Sequence, residues 1–417
     1  MGRALVAEIE AFHHNYHSER LGDGAQINDR PLTSIYFGGG TPSLAKVGTF
    51  VGVMNAIRKL YPSADIEQCE ITLEVNPDQK DLKDLLKDFK KYVGINRVSL
   101  GIQALNDTDL KYLGRTHTTA QAMESVRIAQ DLFERITFDL IYARHPDQTL
   151  AKWEKELKEA LAMTQGQGHL SLYTLCFEQG TNFHKRLNLD SKRKSKISAP
   201  DHNLSSDLYE LTKKVTAERN FTQYEVSSFS SSPLEQSKHN KNYWRGGDYI
   251  GIGPGACSRI TLNNKNNNNN SNNNSSNQTY SRYALKNTLH PKDWQSNLLT
   301  SIKDTDPSLH IVGNPINNHN NFFKNTFEEQ EILSEQQVID ELLLMGLRTK
   351  EGVNLNSFKY YSNGKDFNQF LNPTKTKLFN EQGLLDIDTD RLVLTDQGLS
   401  LLDTIVPDLL LPPTVNK

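Results

Sequence analysis

The first apolar positions, Leu5, Ile9, Phe12 and Tyr16, recur at helical spacing, so the chain opens inside an amphipathic helix. Strand and helix signals then alternate. Ser34 to Phe37 reads as a strand ending in Gly38-Gly39-Gly40, and Val47, Phe50, Met54 and Ile57 mark a helix. Ile71 to Val75 is the next strand, stopped by Asn76-Pro77, and Leu82, Leu85, Leu86 and Phe89 give the helix after it. Arg97 to Ile102 and Ile136 to Tyr142 are strand-like, separated by Ala122, Val126 and Ala129 at helical spacing. Leu150, Trp153, Leu157 and Leu161 form another helical stripe, followed by a strand from His169 to Leu175. This order predicts an α/β fold with a parallel sheet, open or curled toward a barrel.

The pattern then changes. Residues 186–200 are basic and Ser-rich without periodicity and read as a loop, before Leu204, Leu208, Leu211 and Val215 resume a helix. Residues 262–279 are an Asn tract and 303–330 a second Asn-rich stretch; neither can bury much apolar area, and disorder is expected. Val338, Leu342, Met345 and Leu347 predict a helix, and Leu355 and Phe358 begin another. Leu384 to Ile387 and Arg391 to Leu394 read as a hairpin turning at Asp388-Thr389-Asp390. Helix, helix and two-stranded wing is a winged-helix-like pattern. It lacks a basic stripe, so a structural or partner role is expected rather than DNA binding.

Composition narrows the classes. The chain has 417 residues, with 47 Lys+Arg against 50 Asp+Glu, a net charge of −3 that gives no global reason for a nucleic-acid partner. Hydrophobic residues are 36%, and eleven Asn in residues 263–277 account for part of the deficit. No apolar run approaches the ~18–20 residues of a membrane span. The three cysteines, Cys69, Cys176 and Cys257, are widely separated and give neither a disulfide framework nor CxxC spacing. They suit a reducing compartment. Neither a secretory signal nor an Arg-rich presequence is visible.

The informative polar residues cluster at predicted carboxyl ends of strands, where ligands bind in parallel sheets and barrels. They are the Gly38–Gly40 turn with Thr41, Glu74, Gln103, Arg115 in the following loop, and Asp139 among apolar neighbours. A Gly-rich turn is common on its own, and Glu74 and Asp139 are either paired or ligand-facing. Together they suit a small molecule carrying amino, carboxylate and ribose hydroxyl groups. A second constellation is His239-Asn240-Lys241-Asn242-Tyr243-Trp244, with a Gly-rich segment just beyond. An imidazole beside Tyr243 and Trp244 fits an axial haem ligand; it also fits ordinary packing, and spacing does not choose between them.

The segments YFGGGTPSL (36–44), LEVNP (73–77), VSLGIQ (98–103), LGRTHT (113–118), FDLIY (138–142), HLSLYTL (169–175), HNKNYW (239–244) and DYIGIGPGACS (248–258) resemble the radical-SAM coproporphyrinogen oxidase-like family, within it the HemW-type haem chaperones and their mitochondrial eukaryotic relatives. MGLRTKEGVNL (345–355) and GLLDIDTDRLVLT (383–395) resemble that family's terminal domain. The resemblance implies a partial (β/α)6 barrel holding S-adenosylmethionine (SAM), with contacts on Gly39, Gly40, Thr41, Glu74, Gln103, Arg115 and Asp139. It also places Cys176 and Cys257 near that ligand. His239, with Asn240, Tyr243 and Trp244, matches the family's HNxxYW motif, which is implicated in haem binding, His239 being the iron ligand.

The family holds a [4Fe–4S] cluster on a CxxxCxxC segment after its first barrel strand, and no such motif occurs in this sequence. Either the sequence is incomplete at its amino terminus, or this is a degenerate member that kept the scaffold; as it stands, the resemblance implies a barrel without its first strand and no cluster ligands in this chain, and the expectation leans against an enzyme. Ala143-Arg144 stands where the family usually has Gly-Leu, and Arg144 is expected at the pocket mouth. The expected domains are 1–260, the barrel and its extension; 261–334, a linker with Asn-rich insertions; and 335–417, the winged-helix-like unit. The expected function is a haem chaperone delivering haem to a haemoprotein client. The alternatives are a radical-SAM oxidoreductase of porphyrin metabolism and a non-catalytic SAM-binding protein. No nucleic acid and no membrane span are expected, a homodimer is allowed by analogy with family members, and the compartment implied is the mitochondrion, with the cytoplasm as alternative.

Overall fold

Five parallel strands and an antiparallel hairpin form the main sheet of the computed structural model, which describes residues 1–20, 32–62, 64–176, 202–263, 280–305 and 327–411. The strands are β1 (Ser34–Phe37), β2 (Glu70–Val75), β3 (Arg97–Gln103), β4 (Arg135–Tyr142), β5 (His169–Thr174), β6 (Thr222–Glu225) and β7 (Ser228–Ser230). Their order is β1-β2-β3-β4-β5-β7-β6. β1 to β5 are parallel throughout, as the alternation of strand and helix requires, while β7 runs antiparallel to both β5 and β6. This sheet belongs to a unit made of Ser34–Lys46 and Glu70–His239.

Each parallel strand has one apolar face. Ile71, Leu73 and Val75, Val98, Leu100 and Ile102, Ile136, Phe138 and Leu140, and Leu170 and Leu172 are all buried. Helices Leu82–Asp88, Thr119–Leu132, Leu150–Met163 and His202–Ala217 supply the α layer of this unit. The helix starts are written in the sequence: Thr118 and Gln121 form a capping box, and the Thr149 side chain accepts from the Lys152 N–H.

The second unit comprises Met1–Thr33, Val47–Cys69 and Asn240–Lys417. Helix Gly2–Arg20 packs on helices Val47–Leu60 and Pro291–Thr305. A three-stranded antiparallel sheet, β8 (Cys257–Asn263), β9 (Tyr280–Asn287) and β10 (Phe327–Leu333), has the order β10-β9-β8. Its core joins Phe12, Ile260, Leu285, Trp294, Leu298 and Phe327. Glu8 is buried beside it and accepts from the Gly253 N–H (2.7 Å), Asn287 Nδ2 (2.7 Å) and Trp294 Nε1 (3.2 Å). Residues 261–334, read from sequence as a linker, thus hold strands and a helix on either side of the Asn-rich stretches. The Asn content masked short apolar patterns whose partners lie far along the chain. The tract expected to be disordered lies outside the described residues from 264 to 279, as do 306–326 of the second stretch and the loop at 186–200.

Toward the carboxyl end, Ser334 and Gln337 cap helix Glu335–Gly346, and helices Leu355–Tyr361 and Pro373–Glu381 follow. The sheet β11 (Val353–Asn354), β12 (Leu385–Ile387) and β13 (Arg391–Leu394) has the order β11-β13-β12. The hairpin lies where it was expected, its turn closed by Asp388 Oδ1 accepting from the Asp390 and Arg391 N–H groups. Among the described residues no helix is long and apolar enough to cross a membrane.

Candidate functional site

The face of the parallel sheet opposite the apolar one is polar at every second residue. Glu70, Thr72 and Glu74 alternate with apolar residues on β2, Arg97 and Ser99 on β3, Thr137 and Asp139 on β4, and His169 and Ser171 on β5. The register sets Thr72 beside Arg97, Glu74 beside Ser99, Ser99 beside Thr137 and Asp139 beside Ser171. Such a face cannot be stabilised by burial in hydrocarbon, and its groups must pair with one another or with a ligand.

At the amino-terminal end they pair. Arg97 Nη1 lies 3.1 Å from Glu70 Oε2, with both side chains almost fully buried. Arg97 also donates to Thr137 Oγ1 (2.9 Å) and the Glu235 carbonyl (2.9 Å). At the carboxyl-terminal end the groups converge around Glu74. One oxygen of Glu74 accepts from Tyr36 Oη at 2.6 Å and the other from the Gly39 N–H at 3.0 Å. Gly38, Gly39 and Gly40 are exposed. Gly39 and Gly40 have φ of +78° and +63°, with open space where a Cβ would stand, so the turn presents bare backbone. Asn76 Nδ2 donates to Thr41 Oγ1 at 3.3 Å and ties the turn to the end of β2.

Asp139 is half-buried in β4, and its carboxyl is pushed up to about 7. Desolvation is the main cause and the Glu74 charge adds to it; a hydrogen bond from Ser171 and the Arg115 charge act in the other direction. Arg115 is exposed in the loop beyond β3, within Coulombic reach of Asp139 and Asp78. Gln103 ends β3 at φ +70°, where the β3–β4 register shifts. That bulge re-aims the residue. Thus Gly39 and Glu74 are joined directly, Asp139 and Arg115 electrostatically, and Thr41 and Gln103 lie beyond β1 and at the end of β3, the two strands that flank β2.

His239 stands apart from that set in sequence but not in this unit. Its imidazole stacks on Tyr36, with centroids 4.2 Å apart and planes 11° from parallel, and the His239 backbone N–H donates to Glu70 Oε1 at 3.2 Å. Burial pushes the imidazole down to about 4, so it is neutral near pH 7. The division into units falls after His239, within helix Lys238–Trp244. In the second unit Tyr243 meets Tyr249 edge-on at 4.5 Å, and the Arg348 guanidinium lies 4.9 Å from the Trp244 ring centroid. Tyr243, Trp244, Tyr249 and Leu342 line a cavity of about 250 Å³ there, with Arg259 and Arg282 paired to Glu341 and Asp248. Asn240 lies in the same helix, one residue past the division.

The comparisons with known proteins agree with this architecture. Residues 18–159 match the Radical SAM superfamily and residues 333–401 the HemN C-terminal domain. The radical S-adenosyl methionine domain-containing protein 1, mitochondrial, of Dictyostelium discoideum is 51% identical over 411 residues, covering 98% of this chain and 87% of that protein. The chain belongs to the same radical-SAM family. The heme chaperone HemW of Lactococcus lactis is 30% identical over 412 residues, covering 98% of this chain and 91% of that protein. The structure of coproporphyrinogen III oxidase (HemN) from Escherichia coli, a radical-SAM enzyme, superposes with a TM-score of 0.66 at 16% identity, covering 97% of this chain and 81% of that one. This last likeness is one of fold.

Two expectations carried over from the family need correction or completion. Arg144 does not line a pocket mouth: its side chain is 1% exposed, bonded to Glu156 and 2.7 Å from Asp109. A guanidinium there is drawn inward by two carboxylates that are themselves largely buried. Cys176 is exposed just past β5, whereas Cys257 opens β8 in the other unit. Cys69 is buried, and among the described residues no three His, Cys, Asp or Glu side chains group to hold a metal ion. These three cysteines do not fit the thiolate set of an iron–sulfur cluster, and no chemistry is assigned to one. Sequence reading passed over Tyr36, Glu70, Arg97 and Ser171. Their signal was there: polar residues at period two within otherwise apolar strands.

Proposed function

We propose that this chain is a haem-carrying protein on a radical-SAM scaffold that binds SAM at the strand ends and passes haem to a haemoprotein client. The observation that carries the haem reading is His239, a neutral imidazole stacked on Tyr36 within the polar face of the sheet unit. Axial ligation of haem iron needs an unprotonated imidazole nitrogen, and a ring neutral at pH 7 has no proton to lose first. The name of the Lactococcus lactis relative, a heme chaperone, points the same way. Asn240, Tyr243 and Trp244 complete the motif in sequence.

The strand-end residues suit SAM. The exposed backbone at Gly40 and the Gln103 amide can bind a carboxylate or ribose oxygens, with the Gly39 N–H held on Glu74 beside them. Glu74 and Asp139 can bind an ammonium group and hydroxyls, and Arg115 brings a cation to the same rim. When bound, SAM supplies adenosyl chemistry that side chains lack. The residues of this chain orient it: Glu74 is itself oriented by Tyr36 and Gly39, and Asp139 becomes anionic as pH rises past about 7. Mitochondrial residence follows the names of the Dictyostelium, zebrafish, bovine and mouse relatives.

Titrating the purified chain with haemin tests the reading. A saturable Soret shift that His239→Ala weakens supports it. Identical spectra for both proteins would refute it, and SAM binding without haem binding would favour a non-catalytic SAM-binding protein.

A further inference from the structure

We propose that Tyr36 is a positioning residue that links the strand-end ligand site to His239, so that occupancy at one alters binding at the other. The link rests on the function proposed above for its physiological meaning, but its geometry stands on its own. The Tyr36 hydroxyl donates to Glu74 Oε1 at 2.6 Å, and Glu74 Oε2 accepts from the Gly39 N–H at 3.0 Å. The same phenol ring lies face to face with the His239 imidazole, 4.2 Å between centroids and 11° from parallel. A single side chain therefore touches the carboxylate that would meet a ligand and the imidazole that would meet iron.

Neither end of this link is loose. At the carboxylate end, a Cβ on Gly38 would collide with Tyr36 Cε1 and stand 2.8 Å from Glu74 Oε1, so only glycine lets the ring and the carboxylate approach there. At the histidine end, the His239 N–H is held by Glu70 Oε1 at 3.2 Å, and Glu70 is fixed by Arg97 at 3.1 Å. The backbone of His239 is thus anchored to the strand bed while its ring rests on Tyr36. A ligand that takes over the Gly39 N–H or draws charge from Glu74 changes the hydrogen bond to Tyr36. The ring then re-seats, and the stacked imidazole follows. Such coupling is reciprocal by linkage: if SAM changes haemin affinity by a factor, haemin changes SAM affinity by the same factor.

The test is a cycle of variants on the whole chain, read in two ways. In the ligand-free protein at fixed pH, the NMR shifts of the His239 ring protons report its position over the Tyr36 ring. Glu74→Gln is expected to move them in the wild type and to leave them almost unmoved when Tyr36→Phe has already removed the hydroxyl. In the loaded protein, saturating SAM is expected to change the haemin Kd by about fivefold or more, the lower end of ordinary allosteric coupling. Tyr36→Phe should retain both binding events and abolish the change. The proposal is overturned if Glu74→Gln shifts the His239 resonances equally in both backgrounds, or if both ligands bind and SAM leaves the haemin Kd unchanged. Failure of haemin or SAM to bind any of these proteins would refute the function above, while the ligand-free cycle would still decide the link.

Discussion

Glu70 is the residue whose neutralisation reads most directly on this architecture. Its carboxylate is buried at the start of β2, 3.1 Å from Arg97 Nη1 and 3.8 Å from Arg135 Nη1, and it also receives the His239 N–H. Glu70→Gln keeps an acceptor for His239 and removes the charge. At an effective dielectric of ~20, the lost attraction to Arg97 is on the order of 5 kcal/mol. Breaking a buried pair by removing one partner usually costs about 3–5 kcal/mol, because the other charge is left uncompensated. Arg97 keeps Thr137 Oγ1 and the Glu235 carbonyl, so the lower end, about 3 kcal/mol, is expected. For a unit of this size that lowers its transition by roughly 6–12 °C. Because the chain has two compact units, a single melting curve is ambiguous. Hydrogen exchange of peptides from β2 to β4 is the better assay, and protection should fall there first. Adding Arg97→Met to Glu70→Gln removes the stranded charge while an acceptor for the His239 N–H remains, and should recover part of the loss. A loss below about 1 kcal/mol in Glu70→Gln, or a double variant as unstable as the single, would refute the reasoning.

Gly38→Ala should cost about 1–3 kcal/mol by overpacking and weaken SAM binding, measured by calorimetry, since the added methyl meets both Tyr36 and Glu74. Glu8, buried and with its carboxyl pushed up to about 7, binds a proton more tightly when folded than when unfolded. Stability should therefore fall as pH rises from about 4.5 through 7, by at most about 3 kcal/mol, and Glu8→Gln should flatten that slope in denaturant titrations run from pH 5 to 8. Asp139 titrates near 7 for the same reason, so SAM affinity should rise between pH 6 and 8 and lose that dependence in Asp139→Asn.

What was legible in the sequence follows from where the information lies. The parallel strands carry apolar residues at every second position between helical stripes, and β1 to β5 appear where those patterns lie. The hairpin of β12 and β13 announced itself through the Asp388–Asp390 turn. By contrast β6 and β7 are short and polar, and they exist as strands because β7 pairs with β5. β8, β9 and β10 lie on either side of Asn-rich stretches, and their shared core with Phe12 and Trp294 is a tertiary fact. At the site, Glu74 was read as either paired or ligand-facing; it is bonded to Tyr36 and Gly39 at the rim of exposed glycines, so the two readings were not exclusive. Arg144 misled because its position was taken from the strand end alone. Asp109 and Glu156, which draw it inward, sit on two different helices.

The haem reading rests on His239 as the proposed iron ligand. The most direct measurement is resonance Raman spectroscopy of the haemin complex, with the protein's histidines labelled with ¹⁵N. An iron–nitrogen vibration that shifts on labelling and disappears in His239→Ala is expected. An unshifted spectrum, or one retained in full by His239→Ala, would contradict it.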